Sequence, residues 1–131
     1  MLEKIYKTEV EWRKILTPEQ YAIMREKKTE RPFSCELKEN KGEGVYYCAA
    51  CDLPLFKSSG KFESGTGWPS FYEPFSPEHL IYQDDGSFGM ERVEVLCARC
   101  ESHLGHVFSD GPAPSRKRFC INGIVLKFKS L

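Results

Sequence analysis

The 131-residue chain has no surplus charge of either sign, because 19 lysines and arginines face 19 aspartates and glutamates. Without a positive excess there is no long-range pull toward phosphate backbones or anionic lipid, so nucleic-acid and membrane roles are disfavoured from the outset. Long hydrophobic runs are missing too. No stretch approaches the roughly 20 apolar residues that cross a bilayer. The start, Met1-Leu-Glu-Lys-Ile-Tyr-Lys7, lacks the apolar centre of a secretory leader and carries the acid that transit peptides avoid. The expectation is a cytoplasmic protein. Internal repeats and low-complexity tracts are absent, and six cysteines are too few for a disulfide scaffold in a chain of this length.

What is present suits one domain spanning residues 1–131: the length is typical of a single core, and the chain is 40% apolar and 13% aromatic. A helical N-terminal part is expected over about residues 8–28. Thr8-Glu-Val-Glu11 and Thr17-Pro18-Glu19-Gln20 are capping signatures, in which a side-chain oxygen satisfies the unpaired N–H groups of a first turn. Pro18 suits the first helical position because its missing N–H would be unpaired there anyway. From Thr29 to Gly44 the chain is polar and broken by Pro32, Asn40 and Gly42, which reads as a surface loop containing Cys35. A β core follows over about 45–128. Short β-prone runs at Val45–Cys48, Leu80–Gln83, Arg92–Cys97, Leu104–Phe108, Arg118–Ile121 and Ile124–Phe128 predict a small antiparallel architecture. In the last run Ile124, Leu126 and Phe128 alternate with Val125, Lys127 and Lys129, the period of a strand with one buried face.

Four of the cysteines form two pairs, Cys48-Ala-Ala-Cys51 and Cys97-Ala-Arg-Cys100. Each pair on a tight turn can aim both sulfurs at one point, and two such turns make a tetrahedral site for one structural zinc ion. The 45 residues from Asp52 to Leu96 exceed the span of a small zinc ribbon, so the metal would staple two separate hairpins. A redox dithiol is the competing reading, but it expects a helix N-terminus in a βαβ context that this chain lacks. His103 and His106 continue the spacing of the second pair. Four thiolates already close a zinc site, so the histidines are surplus to it. Two of the chain's three histidines lying so close together points to a second site.

Cys35 and Cys120 remain. Cys120 lies in Arg116-Lys-Arg-Phe-Cys-Ile-Asn122, among cations that favour the nucleophilic thiolate. Arg118 and Asn122 are two residues away on either side and share its face on a strand. A buried, inert strand cysteine beside a solvated basic edge explains this segment equally well. At Ser64-Gly-Thr-Gly-Trp-Pro-Ser-Phe71, two glycines bracket Thr66 and permit close backbone approach ahead of the indole of Trp68.

Taken in order, this loop, the two cysteine pairs, His103-Leu-Gly-His-Val-Phe-Ser-Asp-Gly-Pro112 and Arg118-Phe-Cys-Ile-Asn122 closely resemble the type-B methionine sulfoxide reductases, over roughly Thr8 to Phe128. The resemblance implies a mainly β fold, with two antiparallel sheets leaning together around a structural four-cysteine zinc site and short N-terminal helices alongside. It implies that Cys120 is the nucleophile and that Trp68 packs on the sulfur-bound methyl group of the substrate. His103, His106 and Asn122 would hydrogen-bond around the substrate or a water, Arg118 would support the thiolate, and Asp110 would orient that arginine. The implied activity is reduction of methionine-(R)-sulfoxide in proteins, a repair of oxidative damage, with thioredoxin or another thiol as the reductant; nothing in the sequence requires more than a monomer.

The chemistry of the residues agrees. A thiolate attacking a sulfoxide sulfur needs a proton donor on the oxygen side, which a histidine pair supplies near neutral pH. An indole beside the methyl group selects one epimer, since the other would press its oxygen against the ring without a hydrogen-bond partner. Many relatives of this kind carry a resolving cysteine between the two glycines, where this chain has Thr66. Resolution of the Cys120 sulfenic acid therefore falls to Cys35 or to an external thiol. The rival function is a non-catalytic zinc-bound β module that uses the Trp68 pocket for recognition and leaves Cys120 inert.

Overall fold

A computed structural model describes residues 3–29, 42–86 and 92–130. Cys35 and most of the expected 29–44 loop lie outside the described residues. Both predicted caps form. Thr8 opens α1 (Glu9–Ile15) and Thr17 opens α2 (Pro18–Glu26), each through a reciprocal capping box with Glu11 and Gln20. Helix α2 stops at Lys27, which takes a left-handed conformation (φ 61°). Trp12, Leu16, Tyr21, Ile23 and Met24 bury the inner faces of the pair. Arg25 donates to the Cys100 carbonyl (2.9 Å) and Gln20 to the Ile124 carbonyl (3.0 Å), tying α2 to the β structure.

Nine strands follow among the described residues: β1 (Gly44–Cys48), β2 (Pro54–Lys57), β3 (Lys61–Phe62), β4 (Ser70–Phe71), β5 (Leu80–Asp85), β6 (Arg92–Cys97), β7 (His103–Phe108), β8 (Arg118–Ile121) and β9 (Leu126–Ser130). They form two antiparallel sheets, β2-β1-β9 and β3-β4-β8-β7-β6-β5. An aromatic seam joins the sheets. Phe56 stacks on Phe71 (4.3 Å between centroids), Tyr46 meets the same ring edge-on (5.2 Å), and Phe119 closes against Phe56 (5.9 Å). All four rings are almost wholly buried. Such pairs contribute about 0.5–1.5 kcal/mol each beyond their area.

One strand starts later than its alternation predicts. Gly123–Val125 form a 3-10 turn, and only from Leu126 does β9 pair with β1. The turn rotates Val125 inward to full burial and leaves Ile124 partly exposed, reversing the expected faces at these two residues.

Candidate active site and metal centre

Strands β1 and β6 end at Cys48 and Cys97, and each runs straight into a knuckle. In both, the residue after the second cysteine turns left-handed, Asp52 at φ 63° and Glu101 at φ 58°. Each then donates its N–H back to the first cysteine's carbonyl, at 2.9 and 2.8 Å. The two knuckles converge. Tetrahedral coordination at a Zn–S bond of about 2.3 Å separates sulfurs by roughly 3.8 Å. The Sγ atoms of Cys48 and Cys100 are 3.7 Å apart, those of Cys51 and Cys97 are 3.5 Å apart, and all four lie within 4.8 Å of one another. Hydrogen bonding with Cys100, reinforced by burial, holds the Cys48 thiol well above its ordinary range, while the surrounding thiols hold Cys100 far below its own. Four thiols this close oppose one another's ionisation, and a central dication removes that conflict by favouring all four thiolates.

Cys120 sits in the middle of β8, flanked by Ser70 of β4 and His106 of β7. Phe119 and Ile121 point into the core, whereas Arg118 and Cys120 open on the other face, as their spacing requires. Strand β7 comes so close that a Cβ on Gly105 would lie 2.1 Å from the Cys120 carbonyl, so only glycine fits there. The Cys120 thiol opens on a cavity of about 280 Å³ shared with Thr66, Trp68, His106, Arg118 and Asn122. Gly65 and Gly67, at φ 76° and 92°, supply the left-handed turns that deliver Thr66 and Trp68 to its rim. Thr66 Oγ1 lies 3.8 Å from Cys120 Sγ.

Arg118 is held by a two-pronged ion pair with Asp110 (2.9 and 3.3 Å) and lies over the Phe108 ring at 4.3 Å. Asp110 raises the guanidinium's affinity for its proton, and Cys120 adds to the effect from the other side. Asp110 is exposed and is tied to the cavity through Arg118. Asn122 is buried, with its amide nitrogen donating to the Leu104 carbonyl at 2.9 Å. Arg116 and Lys117 point to solvent, so of the basic run only Arg118 faces the thiol.

His103 and His106 are three apart and should face opposite sides of a regular strand. A register shift in the β6–β7 ladder at Val95/Leu96 brings their rings together edge-on at 5.5 Å. His106 borders the cavity and its Nε2 lies 2.7 Å from Asp85 Oδ2. His103 lies behind it, 3% exposed, with Nδ1 2.7 Å from Glu94 Oε2. Burial pulls the His103 pKa down, and the Glu94 hydrogen bond opposes that only in part.

Sequence reading missed Asp85 and Glu94. Glu94 had left a sign, an acid between Val93 and Val95 in a strand that is apolar from there to Cys97, and it is 4% exposed. Asp85 left none.

Residues 16–130 match the SelR domain. The chain is 59% identical over 126 residues to a peptide methionine sulfoxide reductase MsrB of Methanosarcina barkeri, covering 96% of this chain and 89% of the relative. It is 54% identical to one of Pseudomonas putida (98% and 96% covered) and 52% identical to one of Leptospira interrogans (96% of each). With its knuckles, its Cys120 cavity and this extent of identity, the chain belongs to the SelR-domain family that includes the MsrB peptide methionine sulfoxide reductases.

Proposed function

We propose that this protein reduces methionine-(R)-sulfoxide, chiefly in oxidised proteins and peptides, and that Cys120 is its nucleophile. The observation that carries the reading is the Cys120 thiol opening on a cavity bordered by the Trp68 indole on the loop side and by His106 and Arg118 on the sheet. An indole is an apolar surface for the sulfur-bound methyl group, and the histidine side offers hydrogen bonds to the oxygen. With the methyl against Trp68, the R epimer turns its oxygen toward polar groups, whereas the S epimer would strand it on the ring.

Cys120 attacks the sulfoxide sulfur while its S–O bond breaks. One oxygen passes from methionine sulfur to cysteine sulfur, so methionine is reduced by two electrons and Cys120 is oxidised to the sulfenic acid. Arg118 favours the attacking thiolate and is itself oriented by Asp110. His106, backed by His103, and Asn122 guide the proton that the departing oxygen requires. A second thiol then displaces the sulfenic hydroxyl as water, leaving a disulfide that thioredoxin reduces. Cys35 is the proposed resolving thiol, with an external thiol as the substitute.

The four knuckle cysteines hold one structural zinc ion, which crosslinks the two hairpins and takes no part in the chemistry. We read residues 1–131 as one catalytic domain working as a monomer in the reducing cytoplasm, where paired thiols hold metal rather than form disulfides. No helix among the described residues is long and apolar enough to cross a membrane.

Separate R and S epimers of a methionine sulfoxide peptide test this directly. Turnover of R alone, abolished in Cys120→Ser, is expected. Equal consumption of both epimers, or activity surviving in Cys120→Ser, would overturn it.

A further inference from the structure

Cys120 Sγ stands at one end of a row of hydroxyl groups. Thr66 Oγ1 is 3.8 Å from the sulfur, Ser64 Oγ is 2.7 Å beyond it, and Ser70 Oγ is a further 2.7 Å along. The row ends at the Trp68 main-chain carbonyl, to which Ser70 donates at 3.2 Å. Main-chain N–H groups of Thr66 and Trp68 hold it in place by donating to Ser64 Oγ (3.3 Å) and Thr66 Oγ1 (3.4 Å). Ser70 is 1% exposed, so the far end is closed to water.

Each hydroxyl has one proton to give and two lone pairs to fill. One lone pair on Ser64 and one on Thr66 are taken by the main chain, and the Trp68 carbonyl can only accept. Two orderings remain. With Cys120 protonated, the thiol donates to Thr66, Thr66 to Ser64, Ser64 to Ser70, and Ser70 to the carbonyl. With Cys120 ionised, Ser70 donates to Ser64, Ser64 to Thr66, and Thr66 to the sulfur, and one carbonyl gives up one hydrogen bond.

We propose that Thr66 is a catalytic residue whose hydroxyl donates to the Cys120 thiolate, and that the Ser64–Ser70 row reverses direction whenever Cys120 loses or regains its proton. The row turns by rotation and transports nothing, because a carbonyl cannot carry a proton onward. The thiol proton leaves through the cavity to water or to the substrate's oxygen. The charged and titratable groups that line the cavity with the thiol are Arg118 of β8, His106 of β7 and Arg92 of β6, with Asp110 behind Arg118 and Asp85 beside His106 and Arg92. Those groups set the field, while Thr66 is the hydroxyl donor from the loop opposite them.

Removing different links has different effects. Thr66→Val deletes the donor to the thiolate. Ser64→Ala leaves that donor in place and removes instead the group that accepts from Thr66 when Cys120 is protonated. The loss of a whole bond outweighs the cooperative support from Ser64, which adds only about 10–30% to a neighbouring bond. Ser64→Ala therefore favours the thiolate or leaves it unchanged.

The proposal deepens the reductase reading and takes only the word catalytic from it, because thiolate formation is measurable without any sulfoxide. The test is iodoacetamide labelling of Cys120 in the zinc-loaded full-length protein, followed by peptide mass spectrometry across a pH series. At neutral pH Thr66→Val is expected to label about tenfold more slowly than wild type, as for loss of one hydrogen bond to a charge. At high pH the two should reach the same plateau. Thr66→Ser should restore the wild-type profile, and Ser64→Ala should label at least as fast as wild type. A wild-type profile in Thr66→Val overturns the donor role, and slowing in Ser64→Ala overturns the reversing row. If Thr66→Val loses its fold by circular dichroism, Thr66→Ala reads the same donor. Sulfoxide turnover by the wild type, scored separately, tells failure of the reductase reading from failure of this one.

Discussion

The Nδ1 atom of His103 sits 2.7 Å from Glu94 Oε2, both residues being almost wholly buried, and Lys27 Nζ completes the group 3.2 Å from the other Glu94 oxygen. The acid holds the Nδ1–H tautomer, which leaves the opposite ring nitrogen bearing a lone pair. That nitrogen, Nε2, has no hydrogen-bond partner among the described residues. A fixed tautomer in a desolvated place is the kind of ring that backs a neighbour such as His106 without itself taking a charge.

Glu94→Ala should therefore destabilise the fold by about 1–3 kcal/mol, the penalty for leaving a buried N–H unsatisfied. Lys27→Ala should cost much less, since the Lys27 side chain is largely exposed. Urea unfolding of the two variants beside wild type checks the ranking. The pH dependence has a definite sign. Burial holds the folded His103 pKa below its ordinary value, so the unfolded chain takes up a proton near pH 6.5 that the folded ring refuses. Stability from this group is full above about pH 6.5 and falls as the solution is acidified through the lowered folded value. Replacing His103 with Asn should flatten that part of the stability profile.

Removing the proposed zinc ion should cost far more than any side chain, because structural sites contribute on the order of 10 kcal/mol or more to folding. The N-terminal helices are expected to loosen together with the knuckles, since Arg25 of α2 donates both to the Cys100 carbonyl and to Ser102 Oγ, itself 3.1 Å from Cys100 Sγ. One zinc per chain by atomic emission, and loss of the cooperative thermal transition on chelation, are the expected results. Cys51→Ser should reproduce the chelated state.

How far this arrangement could be read from sequence depended on how local its cause was. The helix caps and knuckles are determined within four or five residues, so Thr8, Thr17 and the clustering of the four knuckle cysteines were legible. Strand β2 was not. Pro54 reads against a strand, yet it is tolerated as the first residue of an edge in the order β2-β1-β9. Strands β3 and β4 have two residues each, too few for a period to show. The pairing of His103 with Glu94 and of His106 with Asp85 is set by register across β5, β6 and β7 together with a bulge, none of which leaves a local trace.

Arg118 and Asp110 offer a case where reactivity and stability should separate. The pair is made at the surface, with the Asp110 side chain two-thirds exposed at 66%, so Asp110→Asn should unfold with the wild type. Its effect should appear at the sulfur, because a guanidinium released from its two-pronged hold no longer stays fixed over Phe108 beside the thiol. Cys120 alkylation slowed several-fold at neutral pH, with an unchanged melting temperature, is the expected result. Arg118→Lys keeps a charge but loses the fork, and it should be slowed as well.

Restoration of Cys120 after each turnover can be assigned to one thiol or another by substitution. If Cys35 resolves the sulfenic acid, Cys35→Ser should lose turnover with thioredoxin while keeping turnover with dithiothreitol, which reaches Cys120 unaided. Thr66 already lies 3.8 Å from Cys120 Sγ on a loop held by Gly65 and Gly67, so a thiol placed there is close to bonding distance after a small side-chain adjustment. Adding Thr66→Cys to Cys35→Ser should bring thioredoxin-dependent turnover back in part, at a rate lowered by loss of the Thr66 hydroxyl, accompanied by a disulfide between the introduced thiol and Cys120 in peptide maps of the oxidised protein. Turnover that stays lost in the double variant would mean that a thiol at position 66 does not reach the sulfenic acid. Full thioredoxin turnover in Cys35→Ser alone would remove Cys35 from the cycle and mean that thioredoxin attacks the sulfenic acid directly.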